Sequence, residues 1–119
     1  MTVLLTLASD QVAGRTPHTN RISAWLTRTA LEEIIGDLLR ARGIEPGRAS
    51  GNARLSFLEV AYRDSPEVAT QAQYAWARLS EACHHHAYQL SPTHQEVIHL
   101  LGIVQKLHER ITSKSTHQQ

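Results

Sequence analysis

Residues 22–39 read Ile22-Ser23-Ala24-Trp25-Leu26-Thr27-Arg28-Thr29-Ala30-Leu31-Glu32-Glu33-Ile34-Ile35-Gly36-Asp37-Leu38-Leu39, and this run decides the fold class. Ile22, Trp25, Leu26, Ala30, Leu31, Ile34, Ile35, Leu38 and Leu39 recur at the three- and four-residue steps that line one side of an α-helix. Arg21, Arg28, Glu32, Arg40 and Arg42 fall on the other side, with arginines near the C-terminal end where they oppose the macrodipole. Gly43 supplies a stop. The spacing predicts a long amphipathic helix from Thr19 or Asn20, with its apolar stripe, Trp25 included, turned to a core.

Working outward, Glu45-Pro46-Gly47 and Ser50-Gly51-Asn52 read as a loop, and a shorter helix is expected over 53–63 with Leu55, Phe57, Leu58, Ala61 and Tyr62 as its apolar part. Ser65-Pro66-Glu67 is a strong helix start, because serine caps, proline is pre-organised for the first turn and glutamate complements the dipole. From there Val68, Ala72, Ala75, Trp76, Leu79, Ala82, Cys83, His86 and Leu90 keep one stripe. Ser91-Pro92-Thr93 repeats the capping chemistry before a last helix striped by Val97, Leu100, Leu101, Val104, Leu107 and Ile111. No run alternates with period two long enough to make a sheet, and short connections fold neighbouring helices back on one another. The expectation is an all-α protein, a small antiparallel up-and-down bundle of four main helices. Residues 1–16 form a short helix, a strand or an arm, and 112–119 form a polar tail.

A chain of 119 residues and 13.3 kDa has room for one domain, 1–119, and its 41% hydrophobic and 19% charged residues place it among folding sequences. The formal net charge of +1 excludes a polybasic field, so any nucleic-acid contact is local. Cys83 is the single cysteine, which rules out an intramolecular disulfide and a cysteine-rich zinc site and points to a reduced setting. The apolar stretch 3–8 is too short for a membrane span and lacks a basic flank, so a cytoplasmic protein without membrane association is expected. The sequence contains no phosphate-binding glycine loop and no His-Glu-x-x-His helix, so no cofactor is implied. His94 and His99, five residues apart, turn about 140° around a helix and cannot close on one ion. A metal site shared between chains by His84, His85 or His86 has too few carboxylate or sulfur partners, and no metal is expected.

The informative stretch is Trp76-Ala77-Arg78-Leu79-Ser80-Glu81-Ala82-Cys83-His84-His85-His86-Ala87-Tyr88. Seven helical steps leave Arg78 and His85 within about 20° of one face, two turns apart, with Glu81 between them and able to pair with either. Tyr74 and Gln89 extend the row, whereas His84 points off it and His86 falls on the apolar stripe. An imidazole that takes the ribose 2′-OH proton and a guanidinium that stabilises charge on phosphate oxygens together suffice to cleave RNA without metal. The same residues also compose a solvated polar face with an Arg–Glu pair.

The early Leu26-Thr27-Arg28-Thr29-Ala30-Leu31-Glu32, followed by a late helix carrying Arg and then His, resembles the HEPN domain superfamily over about residues 20–110. The resemblance implies an antiparallel four- or five-helix bundle, usually dimeric. It also implies metal-independent endoribonuclease activity of the kind found in toxin–antitoxin, abortive-infection and CRISPR-linked defence systems. The family signature is Arg, four to six residues, then His. Arg78 with His84 or with His85 fits it, and His86-Ala87-Tyr88 resembles the His-x-Tyr ending of one toxin branch. Leu79 stands where the family usually has Asn, Asp or His, and the His-x-Tyr piece begins seven residues beyond Arg78. By this resemblance Arg78, His85 and His84 are the catalytic candidates and Glu81, His86 and Tyr88 the supporting ones. A homodimer, an RNA substrate and a cognate antitoxin or other protein are the expected partners. Many relatives lack activity and serve as binding or dimerisation modules, in which case Trp25, Trp76 and the histidine-rich helix end would build the contact surface.

Overall fold

The computed structural model describes residues 3–83 and 92–117, with side chains through Ile111. Five helices account for nearly all of it: α1 (Val3–Val12), α2 (Pro17–Ala41), α3 (Gly51–Ala61), α4 (Pro66–Cys83) and α5 (His94–His117). The all-helical expectation holds among these residues. The N-terminal segment, open between helix, strand and arm on sequence grounds, is a ten-residue helix. The backbone of α5 continues through residues expected to be a polar tail.

Helix boundaries follow local chemistry. Thr16 caps α2 in a reciprocal box with Thr19, its hydroxyl accepting from the Thr19 amide at 3.0 Å while Thr19 Oγ1 accepts from the Thr16 amide at 3.0 Å, and Pro17 opens the first turn. At the other end Gly43 sits at φ 78°, where its amide donates to the Arg40 carbonyl and the Ile44 amide to the Leu39 carbonyl. That pair of bonds is a Schellman closure, and the left-handed backbone it needs is why a glycine follows the helix. Ser50 caps α3, and Thr93 caps α5 by accepting from the Glu96 amide.

Helix α2 is the hub. It packs against all four other helices, and around it α3 meets α4, α4 meets α5 and α5 meets α1, while α1 and α3 do not touch. The core gathers Leu31, Ile34, Ile35, Leu38 and Leu39 of α2 with Leu58 of α3, Leu79 of α4 and Leu100 and Leu107 of α5, all essentially inaccessible. Glu67 to Arg110, Tyr74 to His99 and Arg78 to Glu96 step along α4 and α5 in opposite directions, as an antiparallel pair does. One joint breaks the up-and-down order. Gly51 lies against Trp76, whose ring carries Arg28, and Tyr62 just past α3 donates its hydroxyl to the Leu38 carbonyl at 2.8 Å. The start of α3 is therefore near the middle of α2 and its end near the C-terminal end of α2, so the two run in the same sense. The longer connection 42–50 makes this return possible.

The first half of α2 departs from the expected stripe. Trp25 is 55% exposed, and the buried positions are Asn20, Ser23, Ala24 and Thr27. Here α2 faces α1, and small side chains let the backbones approach until Ser23 Oγ donates to the Ala8 carbonyl at 2.7 Å. Phe57, expected among the packed residues of α3, is also exposed.

Candidate functional site

Arg78 leaves the outer face of α4 together with Tyr74 and Glu81, and all three are exposed, as their spacing requires. Its guanidinium is held from two sides. Nη1 pairs with Glu81 one turn later at 3.4 Å, and Nη2 pairs with Glu96 across on α5. The hydrogen bond that Arg78 donates to Glu96, then the charges of Glu96 and Glu81, hold the Arg78 pKa above its ordinary value. One positive charge thus meets two negative ones, and the cluster as a whole is anionic. Tyr74 continues the row toward His99, the rings meeting edge to face with centroids 6.1 Å apart.

His84, His85, His86 and Tyr88 lie outside the described residues, so of the six site residues expected from sequence the structure places Arg78 and Glu81. Glu81, which the spacing allowed to pair with Arg78 or His85, pairs with Arg78. Glu96 is the residue sequence reasoning missed. Its position three residues after Thr93 is a capping-box signal, and the Thr93 half of that box is formed. The Glu96 carboxylate reaches Arg78 instead, a contact set by the α4–α5 register, which no local pattern encodes.

The tryptophans part company. Trp25 faces solvent, whereas Trp76 is half-buried, with the Arg28 guanidinium 4.3 Å over its ring and the Gly51 backbone against its edge. Arg28 also donates from Nε to Ser80 Oγ at 3.1 Å and pairs with Glu32 at 3.3 Å, tying α2 to α4. Trp76 is therefore a joint between three helices and not an open contact surface. Cys83 is partly buried, and desolvation pushes its thiol above the usual value, which disfavours the thiolate. Among the described residues no three metal-ligating side chains converge, and no helix is long and apolar enough to cross a membrane.

No known protein family matches the chain, and neither the curated proteins nor the solved structures contain a match to it.

Proposed function

We propose that this chain is a HEPN-like helical domain that works as a non-catalytic binding and dimerisation module. The observation that carries the reading is the Arg78 guanidinium between the Glu81 and Glu96 carboxylates. A phosphate approaching that group meets a net negative cluster, and the charge a nuclease would use on phosphorus oxygens is already balanced. Trp25, 55% exposed on α2, supports a surface for association elsewhere. The test is molar mass by sedimentation together with incubation of single-stranded RNA in excess chelator. The expected outcome is intact RNA and a dimer that Trp25→Glu shifts toward monomer. An invariant monomer from pH 5 to 8 counts against the reading.

The alternative is a metal-independent endoribonuclease of a toxin–antitoxin or phage-defence type, favoured by the exposed position of Arg78 near the end of α4, a few residues before His84 and His85. In that reading both copies line one cleft, and a cognate antitoxin would cover it. It requires RNA cleavage that survives chelator and is lost in both Arg78→Ala and His85→Ala.

A further inference from the structure

Trp25, Thr29, Glu33 and Asp37 follow one another at four-residue steps and form one ridge along α2, and Arg28, Glu32, Gly36 and Arg40 form the next. Between the two ridges, Thr29, Glu32, Glu33 and Gly36 stand at positions i, i+3, i+4 and i+7, the four corners of a hole that receives one side chain of a facing helix. The hole belongs to a surface groove of about 390 Å³ flanked by Arg40 and Arg54. Two of its corners are small. Gly36 has no side chain, and Thr29 Oγ1 donates to the Trp25 carbonyl at 3.0 Å, so its donor is satisfied within the helix.

A knob for this hole stands on the same helix. Trp25 is 55% exposed and sits four residues before Thr29, whereas Glu33 sits four residues after it. Four residues rise about 6 Å, so a two-fold axis through Thr29, with two α2 helices antiparallel, carries Trp25 of each copy onto Glu33 and the hole of the other. Ridges of this kind mesh in the commonest class of helix contact, crossing at about −50°. The polar lining suits tryptophan in particular. A flat indole stacks on guanidinium groups such as those of Arg40 and Arg54, and its N–H finds acceptors in Glu32 and Glu33.

Charge points the same way. Residues 17–29 hold His18, Arg21 and Arg28 and no carboxylate, whereas Glu32, Glu33 and Asp37 follow in the second half of α2 with Arg40. Apart from Arg40, this order runs against the helix macrodipole, so the stability of α2 alone does not account for it. Antiparallel pairing sets the basic half of each copy against the acidic half of the other, with Arg21 opposite Asp37, each eight residues from Thr29.

We propose that a second copy of this chain occupies the groove, Trp25 of each protomer entering the hole between Thr29 and Gly36 of the other about a two-fold axis at Thr29. This names the surface of the association proposed above and rests on that reading.

The test is sedimentation equilibrium of the full chain and its variants. Trp25→Glu is expected to weaken the dimer about thirtyfold or more. Adding Glu33→Lys to Trp25→Glu is expected to recover about threefold, because the two new charges meet only across the axis: within one chain, eight residues hold them about 12 Å apart. Adding Glu109→Lys on α5 instead, which changes the net charge equally, should recover nothing. In a Cys83→Ser background, mild oxidation is expected to link Thr29→Cys into a covalent dimer and to leave exposed Gln71→Cys on α4 unlinked. A chain that stays monomeric gives the groove to a different occupant and overturns both this pairing and the association reading. A dimer that Trp25→Glu does not weaken, that Glu33→Lys recovers no better than Glu109→Lys, or that Thr29→Cys does not cross-link keeps the association and overturns the pairing.

Discussion

The guanidinium of Arg78 has Glu81 one turn along its own helix and Glu96 on the next one. The first neighbour was legible, because residues three apart on a helix always share a face. The second was not, since it depends on how far α5 is slid along α4. Gly51 is a similar case at the opposite side of α4. Its sequence neighbours mark a loop and a helix start, but its real constraint is the indole packed against it. Adding a methyl group there forces the ring to move, and Gly51→Ala is expected to destabilise the protein by about 1–3 kcal/mol in urea unfolding. The penalty should shrink when Trp76→Leu is combined with it; equal penalties in both backgrounds would mean that the ring is not the obstacle.

Tyr62 provides the pH dependence. Burial, opposed in part by the nearby Arg42 charge, pushes its phenol above the ordinary tyrosine value. A raised value in the folded state means that the unfolded chain releases this proton first. The contribution is therefore complete below about pH 10 and is lost as pH rises beyond it. The urea midpoint is expected to fall as pH rises above about 10, less steeply in Tyr62→Phe, which costs about 1 kcal/mol near neutral pH through the lost bond to Leu38. Identical slopes in the two proteins would remove Tyr62 as the cause.

At the level of elements, the half of α2 from Ala30 to Leu39 was readable because it packs through large aliphatic side chains, whose spacing is itself the signal. The half from Asn20 to Thr27 was misread for the opposite reason. Its contact with α1 is made of small and polar residues closed by a hydrogen bond, which leaves Trp25 on the outside. A close backbone approach carries no hydrophobic periodicity. Ser23→Ala should accordingly cost only the bond to Ala8, about 1 kcal/mol, whereas Ser23→Val should cost more, about 1–3 kcal/mol, because the added methyl groups have no room. Similar losses for the two variants would show that α1 is not packed so closely. The sense of α3 was likewise hidden: the length of 42–50 permits a return but does not demand one.

Across the whole molecule, one helix touches every other and the rest close only part of a ring around it. The gap between α1 and α3 leaves Trp25, Thr29, Glu33 and Arg40 on an uncovered side of α2, and this follows from two features that no single segment announces. One is a first helix of ten residues beside a second of 25; the other is an α3 that starts partway along α2. Composition and stripes were enough for an all-helical single core, because each stripe must be buried somewhere. Which stripe meets which is a property of the assembled ring.

The position of α2 at the centre also ranks the backbone protons. Those of the buried residues Leu31, Ile34, Ile35, Leu38 and Leu39 are shielded by the neighbouring helices, so their deuterium uptake should report the full unfolding free energy. Helix α1, peripheral and short, lifts off at lower cost, and its amides should exchange earlier and as a separate group.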